Sequence, residues 1–466
     1  MSRPRRYTLI LGLLAVAGVL AVGWAVFRNR FPNFFDRETV NAEELAKLQA
    51  ADLSQSATRD PAAAAAQGWP QFRGPNRDGW GSDADLNTDW TAKPPKTLWE
   101  TPCGGGYSSL AVTNGRVYTQ DRQGDDERVF CLDAATGKLL WEHREPADYG
   151  GLRMGYAGGP RATPTVAVGR VYTVGATGIA LCLEEPAAAS DKPRVVWRVD
   201  LPERFRAPTP GWGFACSPLL DGDLVILQPG GKDGSVVALD RRTGDTKWAA
   251  ETDRSGYSSP VIATLGGVRQ VVAVTGESVL GSRPATGEVL WRQPWDTQHD
   301  GNVAMPVVVG DYVFVSSNYN KGCALFHVSP AGNDAVEARV VYFRPNKVMR
   351  NHHSTCVHLN GYLYGFDNND LRCVDLKTGD VVEDWPPPQV SGRLQKGGVI
   401  AAGNHLIGLT QRGTLFIGPA DPTEFAFTGV MEKVLTGSEC WAMPALAGGK
   451  LYLRDATKVL CLDVGK

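Results

Sequence analysis

The chain has 466 residues, 43% hydrophobic and 21% charged, which is more than one small core can use and suits a large repeat architecture or two to three domains. Its 53 Gly and 30 Pro point to many turns and short strands rather than long helices. The net charge is −2, and five Arg fall in the first thirty residues, leaving 43 basic against 50 acidic residues beyond them; that balance excludes a nucleic-acid-binding surface.

The first predicted element is apolar. Arg3, Arg5 and Arg6 precede an uncharged run from Thr8 to Phe27. Twenty helical residues rise about 30 Å, the thickness of a bilayer core. The run ends in Trp24, Phe27 and Arg28, with no A-x-A cleavage site and no Cys for a lipid. Residues 1–30 therefore read as an uncleaved signal anchor, with a cleaved signal as the alternative. Basic residues flank both ends, so charge alone does not orient the span. The expected location is a cell membrane crossed once, with the β-rich remainder on the periplasmic or extracellular side. Residues 31–68 read as a stalk. Within it "NAEELAKLQAA" predicts a short helix capped by Asn41, and "DPAAAAAQG" a plain tether.

From Trp69 onward the text is strand and turn. Units begin near Tyr107, Arg161, Phe214, Tyr257, Asn302, His352, Gln395 and Cys440, at spacings of 43 to 54 residues. That period, with four strands per unit, predicts a β-propeller. In the third unit "CSPLLDG", "DLVILQP", "SVVALD" and "TKWAAE" supply the four strands. The last unit has only three, and "KTLWETP" around Trp99 is available to close the ring. The fold class is thus all-β, an eight-bladed propeller over residues 69–466. Seven blades is the alternative, because the unit from Gln395 is the most degenerate.

One hairpin recurs: "CLDAATGKLLWEH" from Cys131, "ALDRRTGDTKWAAE" from Ala238, "RPATGEVLWRQ" from Arg283 and "CVDLKTGDVVEDW" from Cys373. Asp133, Asp240 and Asp375 suit a turn in which a carboxylate accepts backbone N–H groups. Gly137, Gly244, Gly287 and Gly379 accept positive φ. Trp141, Trp248 and Trp291 each follow four residues later on the outermost strand, where a large ring covers the seam to the next blade. These residues are read as architecture, touching no ligand. The nine Cys are odd in number and include no CxxC. Cys131, Cys182, Cys373 and Cys461 stand near the same kind of turn, as small buried hydrophobes would.

The Leu-Asp, two residues, Thr-Gly and Trp pattern resembles the tryptophan-docking repeat of the quinoprotein, or PQQ-like, eight-bladed propellers. "WPQFRGPNRDGWG", Trp69 to Gly81, resembles the start of many exported bacterial proteins with such repeats. The resemblance covers residues 69–466 and implies one of two functions. One branch holds pyrroloquinoline-quinone (PQQ) alcohol dehydrogenases, which place the quinone between a Trp and a disulfide of adjacent Cys, bind calcium through Glu and Asn, and use an Asp as base. The other holds the non-enzymatic BamB-type propeller of outer-membrane protein assembly. This chain has no adjacent Cys pair, and its repeats offer no matching Glu, Asn and Asp set. The expected function is a monomeric, non-catalytic binding or scaffold propeller with a protein or peptide partner in the cell envelope and no cofactor. The alternative is a dehydrogenase of alcohols or sugars with PQQ and calcium.

Propellers bind ligands where the inner strands begin. The residues there are Tyr107, Arg161, Trp212, Tyr257, Asn302, His352, Lys396 and Trp441. Aromatic rings mixed with Arg, Lys and His suit a peptide or a polar small ligand. The alternative is that they are ordinary loop residues satisfied by one another. His352, His353 and His358 crowd one segment. On a strand, His352 and His358 would share a side about 20 Å apart and His352 and His353 would face opposite ways, so no metal site is expected. "GGGY" at Gly104 and "PGGKDG" at Pro229 lead into no helix, which argues against a phosphate cradle. No G-x-S-x-G or H-E-x-x-H occurs, and no catalytic residue is assigned.

Overall fold

Each repeat folds into one antiparallel sheet whose strands follow one another outward from a central channel. The computed structural model describes residues 38–53 and 68–466, apart from 83, 154–157, 189–190, 346–347, 384, 386–393, 425 and 438. The chain divides into two units, Met1–Thr39 and Val40–Lys466, and all the blades belong to the second. The predicted anchor, Thr8 to Phe27, lies outside the described residues. Among those described, no helix is long and apolar enough to cross a membrane.

The third blade shows the pattern. Leu219–Asp221, Leu224–Leu227, Val236–Asp240 and Thr246–Ala250 pair in order. The two middle strands, LVIL and VVALD, are buried along almost their whole length, as strands covered on both faces must be. The outer strand TKWAA buries its Trp and exposes its neighbours. Closure is as expected: Lys96–Pro102 pairs with Lys458–Asp463, with Trp99 opposite Cys461, and completes the eighth blade. The unit from Gln395 is a regular four-stranded blade, and Trp80–Gly81 adds a parallel strand to its inner edge. Among the described residues the sixth blade has three strands, Val357–Leu359, Tyr362–Asp367 and Asp370–Asp375, with a bridge from Val374 to Val381 outside them.

The recurrent hairpin works across the seams. Asp133 Oδ1 accepts the N–H groups of Ala135 at 3.1 Å and Thr136 at 2.8 Å. Asp240 and Asp375 accept from Arg242 and Lys377 in the same way. Gly287 has φ +75°, and a Cβ there would stand 2.5 Å from the ring of Trp248, which belongs to the preceding blade. Trp248 Nε1 donates to Pro284 O at 2.9 Å. Trp99 over Gly137, Trp197 over Gly244 and Tyr342 over Gly379 repeat the contact. Trp141 packs with Val166, Val171 and Leu181 of the second blade. Trp291 differs: it donates to Gln270 Oε1 of its own blade at 2.6 Å. The blade after it has a longer Pro330–Val336 turn in place of Thr-Gly.

Cys131, Cys182, Cys373 and Cys461 are buried and unbonded, each paired across strands with a Tyr: Tyr118, Tyr172, Tyr364 and Tyr452. Burial pushes the Cys373 thiol up to about 12, so it stays protonated and inert. Helix α1, Ala42–Ala50, forms where expected, with Asn41 Oδ1 accepting from Glu44 N at 3.2 Å. It packs on the fifth blade: Leu48 and Leu53 are buried with Tyr312, Phe314 and Leu325, and Glu44 meets His327 Nδ1 at 2.5 Å.

The lead-in from Trp69 to Gly81 fills the channel. Trp69 and Val112 exchange backbone hydrogen bonds at 2.7 Å, and Val166 N donates to Pro70 O at 2.9 Å. Arg77 donates to Ser217 O and Pro218 O of the third blade, and Arg73 to Thr355 O and Cys356 O of the sixth. Ala401 N of the seventh blade donates to Gly79 O at 2.8 Å. The third and seventh blades stand across the ring from each other, so the segment bridges it. Both guanidiniums are buried among carbonyl oxygens.

Candidate functional site

The residues just before each inner strand have left the sheet ladder, so their side chains are available to the channel. Tyr107, Arg161, Trp212, Tyr257, His352, Lys396 and Trp441 line one cavity of about 370 Å³ at the channel mouth. A belt of hydroxyl bridges holds these segments together. Ser109 N donates to Thr163 Oγ1, Thr163 N to Ser217 Oγ, Ser217 N to Ser259 Oγ, and Met443 N back to Ser109 Oγ, all at 2.8–3.0 Å. Asn302 lies outside the lining. It is fully buried, donating to Thr275 O and Trp295 O and accepting from Ser317 Oγ, so it ties the fourth blade to the fifth.

Rings line much of the mouth. His353 stacks on Trp441 at 3.8 Å and 16°, and His352 stacks on His353 at 3.9 Å and 21°. Trp441 contacts Tyr107 at 4.9 Å, Tyr319 meets His352 edge-on at 5.2 Å, and Trp212 meets Tyr257 at 5.5 Å. The adjacent histidines thus lie on one side, not opposite sides, because residues 351–356 are a bend and the strand begins only at Val357. His358 lies apart and is buried, its Nε2 accepting from Gly361 N at 3.2 Å.

The charges follow from burial. Burial, with the Lys396 charge second, pushes His352 down to about 4. Burial and the charge of His352 hold His353 well below the usual range. Both imidazoles are neutral at pH 7. Burial also lowers Arg161 and Lys396, with Glu439 drawing Lys396 partly back up, and both remain cationic. The Arg161 guanidinium sits 5.3 Å from the Tyr107 ring centre and donates to Gly159 O at 3.1 Å. Among the described residues the lining has no Asp, Glu or Asn. Glu439, just behind it, accepts from Tyr107 OH at 2.5 Å.

Among the lining residues not legible in the sequence are the rings of Phe72, Tyr319 and His353. Phe72 belongs to the lead-in, whose place in the channel no repeat announces. Tyr319 stands at φ +53° in a turn, and a lone large ring in "SNYNKG" was the available signal. His353 was set aside on strand geometry that the bend does not obey.

The profile of a family described as outer membrane protein assembly factor BamB matches residues 80–157 and 153–385. The chain belongs to that family of PQQ-like repeat propellers. Among solved structures, the PQQ-like propeller resembles BamB from Moraxella catarrhalis, with TM-score 0.53, 14% identity, and coverage of 79% of this chain and 99% of that one. It also resembles quinohemoprotein alcohol dehydrogenase ADHIIG from Pseudomonas putida, with TM-score 0.58, 13% identity, and coverage of 89% and 83%. At such identities the likeness concerns the fold. In sequence it is 29% identical over 188 residues to the serine/threonine-protein kinase AfsK of Streptomyces griseus, covering 38% of this chain and 20% of that one. The PQQ-like propeller spans about a fifth of the length of the curated relatives it matches.

Proposed function

We propose that this PQQ-like propeller is a non-catalytic binding protein of the cell envelope, serving assembly of other envelope proteins, with the aromatic and cationic mouth as its binding site. The observation that carries this reading is the chemistry of the lining. A calcium-bound quinone needs carboxylate and amide oxygens around the ion and an Asp as base. Among the described residues the mouth offers Arg161, Lys396, neutral His352 and His353, hydroxyls and rings, and no Asp, Glu or Asn. Among the described residues no group of three or more His, Cys, Asp or Glu is placed to hold a metal ion. Trp441 and Trp212 could flank a flat ring, but no pair of adjacent Cys supplies the opposite face. These residues do not fit the calcium–quinone group.

The anchor at residues 1–30 and a propeller on the far side of the membrane belong to the same proposal. They rest on the uncharged run from Thr8 to Phe27 and on the family's BamB description. The test uses the full-length chain in detergent, incubated with PQQ and calcium and then with a panel of alcohols and aldoses and an electron-accepting dye. No quinone-dependent dye reduction is expected. Turnover requiring both PQQ and calcium would overturn the binding reading in favour of a dehydrogenase. Recovery of the intact chain in the soluble fraction without detergent would overturn the anchor.

A further inference from the structure

The mouth cavity ends blindly. Phe72 is part of its wall, and the lead-in that carries Phe72 is bonded to inner strands on both sides of the ring. An extended chain therefore cannot run through; a small molecule or a chain end can enter. The volume of about 370 Å³ is at the lower end of the range for small-ligand sites.

The charge inside is one-sided. Arg161 and Lys396 lie on the lining, and among the described residues no carboxylate does. Glu439, the acid that acts on both among the described residues, stands behind Tyr107 and accepts a hydrogen bond from its hydroxyl, so the two cations outnumber it. A second observation points to a ligand. His353 Nε2 is buried in this site with no hydrogen-bond partner among the described residues, although buried polar atoms are normally satisfied. A planar guanidinium presents a fork that matches a carboxylate, and the rings beside it favour an apolar or flat body.

We infer that the mouth cavity takes a carboxylate-bearing ligand, its carboxylate meeting Arg161 and Lys396 and its apolar body lying against the Trp441 and Tyr107 rings. The carboxylate belongs either to a free small organic acid or to the last residue of a peptide chain. The inference rests on the binding-propeller reading and names the chemistry of its ligand.

Four probes test it by calorimetric titration into the full-length chain: 4-phenylbutyrate, its amide, and the acetylated tripeptide Ala-Ala-Phe as free acid and as amide. Saturable binding of an acid is expected, with the matching amide at least about tenfold weaker. Arg161→Gln and Lys396→Met should each weaken the acids about tenfold and leave the amides unchanged. A thermal melt identifies any variant that has lost its fold, and the two variants report independently. Preference for the tripeptide acid assigns the site to chain ends, and preference for phenylbutyrate to free acids. Equal binding of acid and amide, indifference of both folded variants, or no saturable binding of either acid would each overturn the inference. None of those results touches the binding-propeller reading, which fails only on quinone-dependent turnover.

Discussion

Trp248 reaches out of its own blade and rests on the turn glycine of the next. Trp248→Ala removes that ring and its bond to Pro284 O, and should cost about 3–5 kcal/mol of stability. Chemical denaturation measures the loss, while ligand binding per folded molecule should be unchanged. The local half of this device was legible in the sequence, because Asp, Thr-Gly and Trp lie within nine residues of one another. The partner was not, since Trp248 and Gly287 belong to different repeats. Position alone placed seven of the eight mouth residues, yet Asn302 in the equivalent place turned inward to bind backbone. His352 carries a second prediction at this scale. Its folded pKa of about 4 lies below the ordinary 6.5, so the fold binds fewer protons than the unfolded chain between those values. Stability should fall as pH drops from 6.5 toward 4, and His352→Gln should flatten part of that slope. Denaturation midpoints at pH 7, 5.5 and 4.5 would show it, and an unchanged slope in the variant would contradict the assignment.

Helix α1 is the element most open to test. Burial alone would raise the Glu44 carboxyl, but hydrogen bonds from His327 and Lys47 outweigh it and hold the group below the ordinary 4.5. A depressed carboxyl contributes stability above its unfolded value and loses it as pH falls through the folded one. The docking of the helix on the fifth blade should therefore weaken as pH falls below the ordinary glutamate value of 4.5. Hydrogen exchange at the amides of residues 42–50 reads this directly. Glu44→Gln should exchange faster at pH 7 and lose most of the pH dependence. The helix and its cap were legible from "NAEEL", a local signal. Its docking was not, because a buried Glu in an otherwise ordinary amphipathic turn looks like a solvated face until His327 is placed beneath it.

At the scale of the whole molecule the ring depends on one strand. Deleting Thr97–Thr101 removes the outer strand of the eighth blade and the Trp99 ring that covers Gly137. It exposes a sheet edge in an architecture held by closure. A large drop in melting temperature is expected, with oligomers formed through the open edge and seen by light scattering. The blade count and this closure were legible, because the repeat period and a missing last strand are properties of the text. The filled channel was not, since the lead-in repeats nothing and its partners are backbone groups on five different blades.

That lead-in has a consequence in time. The ribosome delivers it, and the closing strand after it, before any complete blade exists. Glu100 meets Lys458 across 358 residues, and Arg73 waits almost as long for the carbonyls of Thr355 and Cys356. The buried Arg73 guanidinium cannot settle before those oxygens arrive, nor that of Arg77 before Ser217 and Pro218 do, so the wheel is assembled around an axle already lying in place. Contacts of such long span slow folding and leave the nascent chain exposed to proteases and chaperones until the eighth blade has emerged.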